Sequence, residues 1–311
     1  MKISVIIINY QTKDLTLAAV ESIKRERRKY QQELKETEII VVDNQSPDGS
    51  GEELAKLAAE SGFMVIQNPK NNGFAAGNEL GYQKASGEII LLLNSDATLD
   101  EGALYELWKI YEKKMDIEEK IGVISCQLWN ERYLSLQIQG GDTPSIAAVT
   151  NHMLGRRRRP TTQYNTLKKT DEDWRKLFAE KIAEGEVLYK QGWVAGTAMS
   201  FRRETVEKAG FLDTNIFMYG EDMEFCYRVK QKMGLKAAVL LTSRVEHLGS
   251  ASAGNKRAIV GEFEGLLYLW KKHFAKNEEK KLRQILKMGA MLRMILKPKE
   301  REAYQELLRV L

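Results

Sequence analysis

Acidic and amide side chains stand in this chain where apolar runs stop. Asp43 follows Ile39 to Val42, and Asn94 with Asp96 follows Ile89 to Leu93. A third acidic site, Glu221-Asp222, lies between an aromatic run, Phe217 to Gly220, and a segment from Met223 to Lys232 that reads as a helix. Runs this short read as buried strands, and polar residues at their ends would face the crevice that an open α/β sheet leaves at its carboxyl edge. Oxygen ligands there suit magnesium or manganese, which share them with phosphate oxygens. A carboxylate at a helix start can stay ionised near neutral pH and be aimed at a hydroxyl, as a general base must be. The chemistry on offer is that of a nucleotide and its metal ion.

The elements that must hold these residues alternate. Ile3 to Asn9 reads as a buried strand, followed by a helix with Leu15, Leu17, Val20 and Ile23 on its apolar side and Asp14 as its cap. Ile39 to Val42 is a second strand, Gly51 to Gly62 a helix, and Met64 to Ile66 a third strand. Asn71-Asn72-Gly73 is a turn, Ala75 to Ala85 a helix, and Ile89 to Leu93 a central strand; Ala237 to Leu241 is a short strand further on. The β-α-β-α-β order predicts an α/β fold, with a mostly parallel central sheet and helices on both faces.

Composition and missing motifs exclude several classes. With 43% hydrophobic and 29% charged residues the chain is expected to fold rather than stay disordered. Cys126 and Cys226 are too few and too far apart for a disulfide framework, so two buried thiols in a reducing compartment are expected. The first apolar run ends at Asn9 and no later run reaches about 18 apolar residues, so a cytoplasmic location is expected, without signal peptide or spanning helix. A net charge of +5 is concentrated in Arg156 to Arg159 and in the last forty or so residues, which could attract anionic lipid, a phosphorylated acceptor or nucleic acid. No nucleic-acid-binding signature accompanies them, so nucleic acid is not an expected partner. Asn9 to Asp14 holds no glycine, against a dinucleotide-binding dehydrogenase, and the lysine-bearing phosphate loop is absent.

Five segments in one order carry a resemblance: Ser4 to Tyr10, Val41 to Asn44 with Asp48 to Ser50, Asn72 to Asn78, Leu91 to Asp96, and Phe217 to Asp222. Together they resemble a family 2 glycosyltransferase of the GT-A fold, nearest to the bacterial rhamnosyltransferase-like branch, over about residues 3 to 250. The resemblance implies an inverting, metal-dependent enzyme that moves a sugar from a nucleoside diphosphate to an acceptor hydroxyl of a glycan or a lipid-linked acceptor. By motif position Asp43 reads the base, favouring UDP or dTDP, with Asn44 beside it and Asn9-Tyr10 as a wall. Gly73 and Asn78 lie against the nucleotide. Asp96 is the ligand for Mn2+ or Mg2+, with Asn94 as neutral partner and His247 as a second metal ligand or diphosphate contact. Asp222 is the catalytic base and Glu221 orients the acceptor or neighbouring groups. The family often has a proline where Ser95 stands, so this turn is less rigid.

Trp193 and Gly196 also fit the pattern, and Trp193 either packs in the core or offers its face to a sugar ring. The implied layout is a catalytic domain over 1–255, its nucleotide-binding half at 1–100 and its acceptor half at 101–255 with an insertion near 127–190, and then a helical extension over 256–311. Phe263 to Phe274 and the positions Leu282, Ile285, Leu286, Met291, Leu292 and Ile295 read as basic amphipathic helices. They pack on the core, form a homodimer interface, or meet an anionic inner-leaflet surface. A nucleotidyltransferase would show a glycine- and arginine-rich loop near the start, which is missing; a non-catalytic sugar-nucleotide-binding protein stays open.

Overall fold

Each residue of the first strand is buried, and alternate side chains serve two different cores. The computed structural model describes residues 1–130, 132, 134–153, 171–249 and 255–311; the tetra-arginine segment and Thr161-Thr162 lie outside them. The chain runs β1 (Ile3–Asn9), α1 (Lys13–Lys29), α2 (Gln31–Leu34), β2 (Glu38–Asp43), α3 (Ser50–Ser61), β3 (Met64–Gln67), α4 (Phe74–Lys84), β4 (Ile89–Asn94) and β5 (Ala97–Leu99). It continues through α5 (Ala103–Glu112), α6 (Met115–Glu118), β6 (Ile121–Asn130), β7 (Ser135–Leu136), β8 (Gly140–Gly141), α7 (Ile146–Met153) and α8 (Asp171–Ala183). Next come β9 (Leu188–Gln191), β10 (Trp193–Val194), β11 (Ala198–Arg202), α9 (Arg203–Ala209), α10 (Glu221–Met233) and β12 (Lys236–His247). The tail forms α11 (Asn255–His273), α12 (Lys276–Leu296), a 3-10 turn at Pro298–Glu300 and α13 (Arg301–Val310).

In β1, β2 and β4 the even-numbered Ile6, Ile8, Ile40, Val42, Ile90 and Leu92 point to one cluster. The odd-numbered Ile3, Val5, Ile7, Ile39, Val41, Ile89 and Leu91 point to the other. A strand buried on both faces has no polar face to show, which is why these segments read as apolar runs, broken in β1 only by the buried Ser4. Each such side chain contributes on the order of 2 kcal/mol when removed from water.

The sheet order is β3-β2-β1-β4-β11-β6-β12-β5, with β7 on β6 and β9 on β12. The pairs among β3, β2, β1 and β4 are parallel, as is β6 with β12, whereas β11 runs antiparallel to both neighbours. The expected α/β sheet, mostly parallel with helices on both faces, is what forms. Its parallel half leaves the ends of β1, β2 and β4 together, so Asn9, Asp43 and Asn94 share one edge.

Two local expectations are corrected. Asp14 does not cap α1: Thr12 holds that position without a side-chain bond, and Asp14 is an exposed first-turn residue. The strand expected to end at Leu241 runs on to His247, because β12 changes partner. Its pairing with β6 skips from Leu240–Cys126 to Arg244–Gln127, and beyond this bulge it pairs with β5, His247 against Ala97. A bulge bends and re-aims a strand, and here it delivers His247 beside Asp96.

The tail helices pack on the rest of the chain. Leu282, Leu286, Ala290, Tyr304 and Leu307 share a core with Met153 and Trp174. Gly261 and Gly265 of α11 admit the loop before α10: a Cβ on Gly265 would stand 2.3 Å from the Tyr219 carbonyl oxygen. That loop also meets Gly73, where a Cβ would lie 2.1 Å from the Phe217 carbonyl oxygen, and Gly73 takes φ +95°, open to glycine.

Candidate active site

The polar ends of β1 and β2 form one network beneath the crevice. Asn9 is fully buried; its amide nitrogen donates to Asp43 Oδ1 at 2.7 Å and to Ser50 Oγ at 3.0 Å, and its Oδ1 accepts from Thr16 Oγ1 at 2.8 Å. The second oxygen of Asp43 accepts from the Ser46 amide at 3.0 Å. Asn44 donates to the Gly73 carbonyl and accepts from Asn68. Thr12 Oγ1 donates to Ser95 Oγ at 2.9 Å and ties the network to the turn that carries Asp96.

Above it opens a cavity of about 1220 Å³. Tyr10, Asn44, Gly73, Asn94, Asp96, Trp193, Gly196, Glu221, Asp222 and His247 all line it, so ten of the positions singled out by sequence meet at one place. Asn9, Asp43 and Asn78 are not part of its lining and are buried nearby. Asn78 is turned to the Phe74 carbonyl of its own helix. The amide of Phe74, in the first turn of α4, is already bonded to the Phe217 carbonyl at 2.8 Å, so it is not open to a phosphate.

Asp222 sits in the first turn of α10, where the helix dipole favours a carboxylate. Its Oδ2 accepts from the Gly196 amide at 3.0 Å and its Oδ1 from the Met223 amide at 2.7 Å. The Gly196 N–H aims the carboxylate, and a Cβ at position 196 would meet Asp222 at 3.4 Å, an ordinary contact. Glu221 beside it is buried and its carboxyl is raised well above the ordinary range, first by burial and then by the charge of Asp222.

Because the folded state holds the Glu221 proton to higher pH than the unfolded chain does, its contribution is fully present below the ordinary 4.5 and is lost as pH rises through the folded value. Glu221→Gln removes that titration. Its melting temperature is expected to gain on the parent as pH goes from about 5 to about 9, by up to about 1.4 kcal/mol of stability per pH unit inside the window. A difference that stays constant with pH would show that Glu221 is ionised throughout.

Asp96 and His247 stand together, with Nε2 3.3 Å from Oδ1. Among the described residues no group of three or more His, Cys, Asp or Glu side chains could hold a metal ion by itself. One carboxylate and one imidazole nevertheless fit manganese or magnesium, since nucleotide phosphates and water supply the other ligands. The surroundings are negative. The Tyr219 hydroxyl in the cavity wall is raised by burial and then by Glu262, Glu221 and Asp96. Three buried polar atoms of lining residues, Asn94 Oδ1, Glu221 Oε2 and Trp193 Nε1, have no hydrogen-bond partner. Each costs roughly 1–3 kcal/mol while it stays unpaired.

Of the two readings open for Trp193, core packing is the one the structure matches. The residue is 4% exposed and packed in the core, so little ring face is left for a sugar to stack on. Sequence reading missed the tail's share of the wall: Arg257, Ala258, Glu262, Phe263 and Leu266 of α11 line the cavity, and the Arg257 guanidinium lies 5.3 Å from the Phe217 ring centroid. The spacing of Gly261 and Gly265 was the available signal, since two glycines one turn apart let a helix approach backbone closely.

The family description "Glycosyl transferase family 2" matches residues 4–209. The low-salt glycan biosynthesis hexosyltransferase Agl10 of Haloferax volcanii is 23% identical over 234 residues, covering 74% of this chain and 62% of that protein. The chain therefore spans under two thirds of that relative's length. A crystal structure of GalNAc-T7 with UDP, GalNAc and Mn2+ superposes with a TM-score of 0.60 at 17% identity, covering 88% of this chain and 48% of that one. The mannosyltransferase PcManGT from Pyrobaculum calidifontis, in complex with GDP-Man and Mn2+, gives 0.57 at 14% identity, covering 99% and 74%. These two likenesses concern the fold, which is that of GT-A glycosyltransferases.

Proposed function

We propose, from the premise that this chain belongs to glycosyl transferase family 2, that it transfers a sugar from a UDP- or dTDP-sugar to a hydroxyl of a glycan or lipid-linked acceptor. The observation that carries this reading is one cavity lined both by the Asp96–His247 pair and by Asp222. Asp222, aimed by the Gly196 amide, takes the acceptor proton as the hydroxyl oxygen attacks the anomeric carbon from the face opposite the diphosphate. One such displacement inverts the anomeric centre. Glu221, buried beside Asp222 with its carboxyl raised by burial, orients the neighbouring groups on the acceptor side. Asp96 and His247 would hold Mn2+ or Mg2+, whose charge would stabilise the diphosphate leaving group. By motif position Asp43 reads the imide of uracil or thymine from just beneath the lining, where its two oxygens already accept from Asn9 and Ser46. Rhamnose as the sugar and bacterial cell-surface polysaccharide as the product belong to the same reading.

A thermal-shift panel of UDP-, dTDP- and GDP-sugars with and without manganese tests it, because a ligand selective for the folded state raises the melting temperature. A UDP- or dTDP-sugar at a hundred times its dissociation constant is expected to stabilise the folded protein by about 2.7 kcal/mol, and only with metal. No response to any sugar nucleotide would end the reading.

The catalytic unit is taken as residues 1–255 and the tail as 256–311. No described helix is long and apolar enough to cross a membrane. On α12 the exposed Met288, Met291, Ile295 and Leu296 form a stripe beside Lys287, Lys297 and Lys299, which suits peripheral contact with an anionic leaflet. Salt-sensitive sedimentation with anionic liposomes supports this contact; indifference to lipid, with a doubled mass in light scattering, would assign the stripe to a homodimer.

A further inference from the structure

The Asp96–His247 pair is held by a third residue, Gln137, which follows β7. Its backbone N–H donates to the Leu128 carbonyl of β6 at 3.0 Å, so the side chain starts from a fixed strand. The amide nitrogen of Gln137 donates to the His247 carbonyl oxygen at 2.7 Å. A carbonyl only accepts, so this contact decides which way the amide is turned. The Asn130 amide reaches the same carbonyl at 3.0 Å and the next one, that of Leu248, at 3.1 Å, which pins the backbone at the end of β12. With its nitrogen so engaged, Gln137 presents Oε1 to Nδ1 of the His247 ring. An amide oxygen also only accepts, so Nδ1 must carry the hydrogen.

The consequence falls on the other side of the ring. In the neutral imidazole with Nδ1–H, Nε2 bears the lone pair, and Nε2 is the atom 3.3 Å from Asp96 Oδ1. Two lone-pair donors then face each other, an arrangement satisfied by a cation between or beside them. Outer partners that fix a histidine tautomer change metal affinity by about 10- to 100-fold.

We propose that Gln137 is a positioning residue that locks His247 as its Nδ1–H tautomer and so presents Nε2, with Asp96, to the divalent cation of the donor site. The assignment of the cation rests on the functional reading above; the tautomer does not.

The test uses the full chain and two readouts. The chain has three histidines, His152, His247 and His273, so the nitrogen-15 resonances of its rings can be assigned with two single replacements. Near pH 9, well above the ordinary imidazole value of about 6.5, His247 of the parent is expected to show a protonated Nδ1 and a bare Nε2. Gln137→Met, similar in length but with no amide to accept or donate, is expected to lose that preference and to weaken Mn2+ binding, read by electron paramagnetic resonance, by about 10- to 100-fold. Gln137→Glu keeps an acceptor against Nδ1 but gives up the bond to the His247 carbonyl, which the Asn130 amide still meets; it is expected to keep the Nδ1–H tautomer and to bind Mn2+ more tightly than Gln137→Met. A parent with Nε2–H, or a folded Gln137→Met protein with unchanged tautomer and unchanged Mn2+ affinity, would overturn the proposal. If Gln137→Met does not fold, the parent spectrum and Gln137→Glu decide. A parent with the Nδ1–H tautomer and no affinity for Mn2+ would overturn the cation assignment while leaving the tautomer standing.

Discussion

Asp222→Asn is expected to lower turnover by a factor on the order of 100 or more, the usual contribution of a positioned general base, while sugar-nucleotide binding stays near that of the parent. Asparagine matches aspartate in shape but cannot take a proton. The two amides that hold the carboxylate, of Gly196 and Met223, can both be met by aspartate, whereas asparagine offers one accepting atom for two donors. A stability loss of about 1–3 kcal/mol would follow from the donor left unpaired, so turnover must be read below the variant's own melting point. Steady-state rates with a saturating donor, alongside donor binding by calorimetry, separate the two effects. Full activity in the variant would move the base elsewhere. Equal loss of turnover and donor binding would make Asp222 a structural residue of the α10 start.

Much of this site was legible in the sequence because its residues stand at strand ends. A buried parallel strand is apolar along most of its length, so Asn9, Asp43 and Asn94 announce where β1, β2 and β4 stop, and parallel pairing then brings those stops to one edge. Glu221-Asp222 was legible for a similar reason, as an acidic first turn after a glycine. What was not legible depends on contacts distant in sequence. The bulge of β12, which sets His247 beside Asp96, appears only as a register change against β6. Gln137 belongs to no apolar period and no motif, and its importance comes from touching a residue 110 positions away. Which of the two readings of Trp193 would hold was not legible because exposure is a property of packing, and the core of β10 and its neighbours encloses that ring.

The tail shows the same limit from the other direction. Its apolar periodicity was visible, but not which side would be covered. Leu282, Leu286 and Ala290 are buried against the catalytic body while Met288, Met291 and Ile295 are left outside. Glu224, fully buried on α10, joins the two parts: it pairs with Arg228 on its own helix at 2.8 Å and with Lys272 and His273 of α11 at 2.8 and 2.9 Å. Its carboxyl lies below the ordinary range: burial, the largest influence, raises it, and the bonds and charge of Arg228 with the bonds from Lys272 and His273 outweigh that. The helix that carries Asp222 is thereby fastened to the helix that lines the cavity.

Removing the divalent cation with EDTA is expected to abolish transfer, and Asp96→Ala to weaken metal and diphosphate binding together. The reason is geometric. Asp96 and His247 are two protein groups, too few to complete an octahedral or near-octahedral shell, so a cation bound there must draw its remaining ligands from phosphate oxygens and water. Cation and diphosphate are then each part of the other's site, and their affinities are linked by the same factor in both directions. In the parent, Mn2+ is expected to bind at least ~10-fold more tightly with UDP present than without it, a coupling of about 1.4 kcal/mol or more. Asp96→Ala removes the carboxylate and should erase most of that coupling as well as the affinity; a double replacement with His247→Ala should cost less than the sum of the single ones, because the two side chains share one ligand. Calorimetric titration of Mn2+ with and without UDP supplies all of these numbers from one set of samples. Turnover that survives chelation, or Mn2+ and UDP binding that prove independent of each other, would mean that Asp96 and His247 hold no cation in common with the diphosphate.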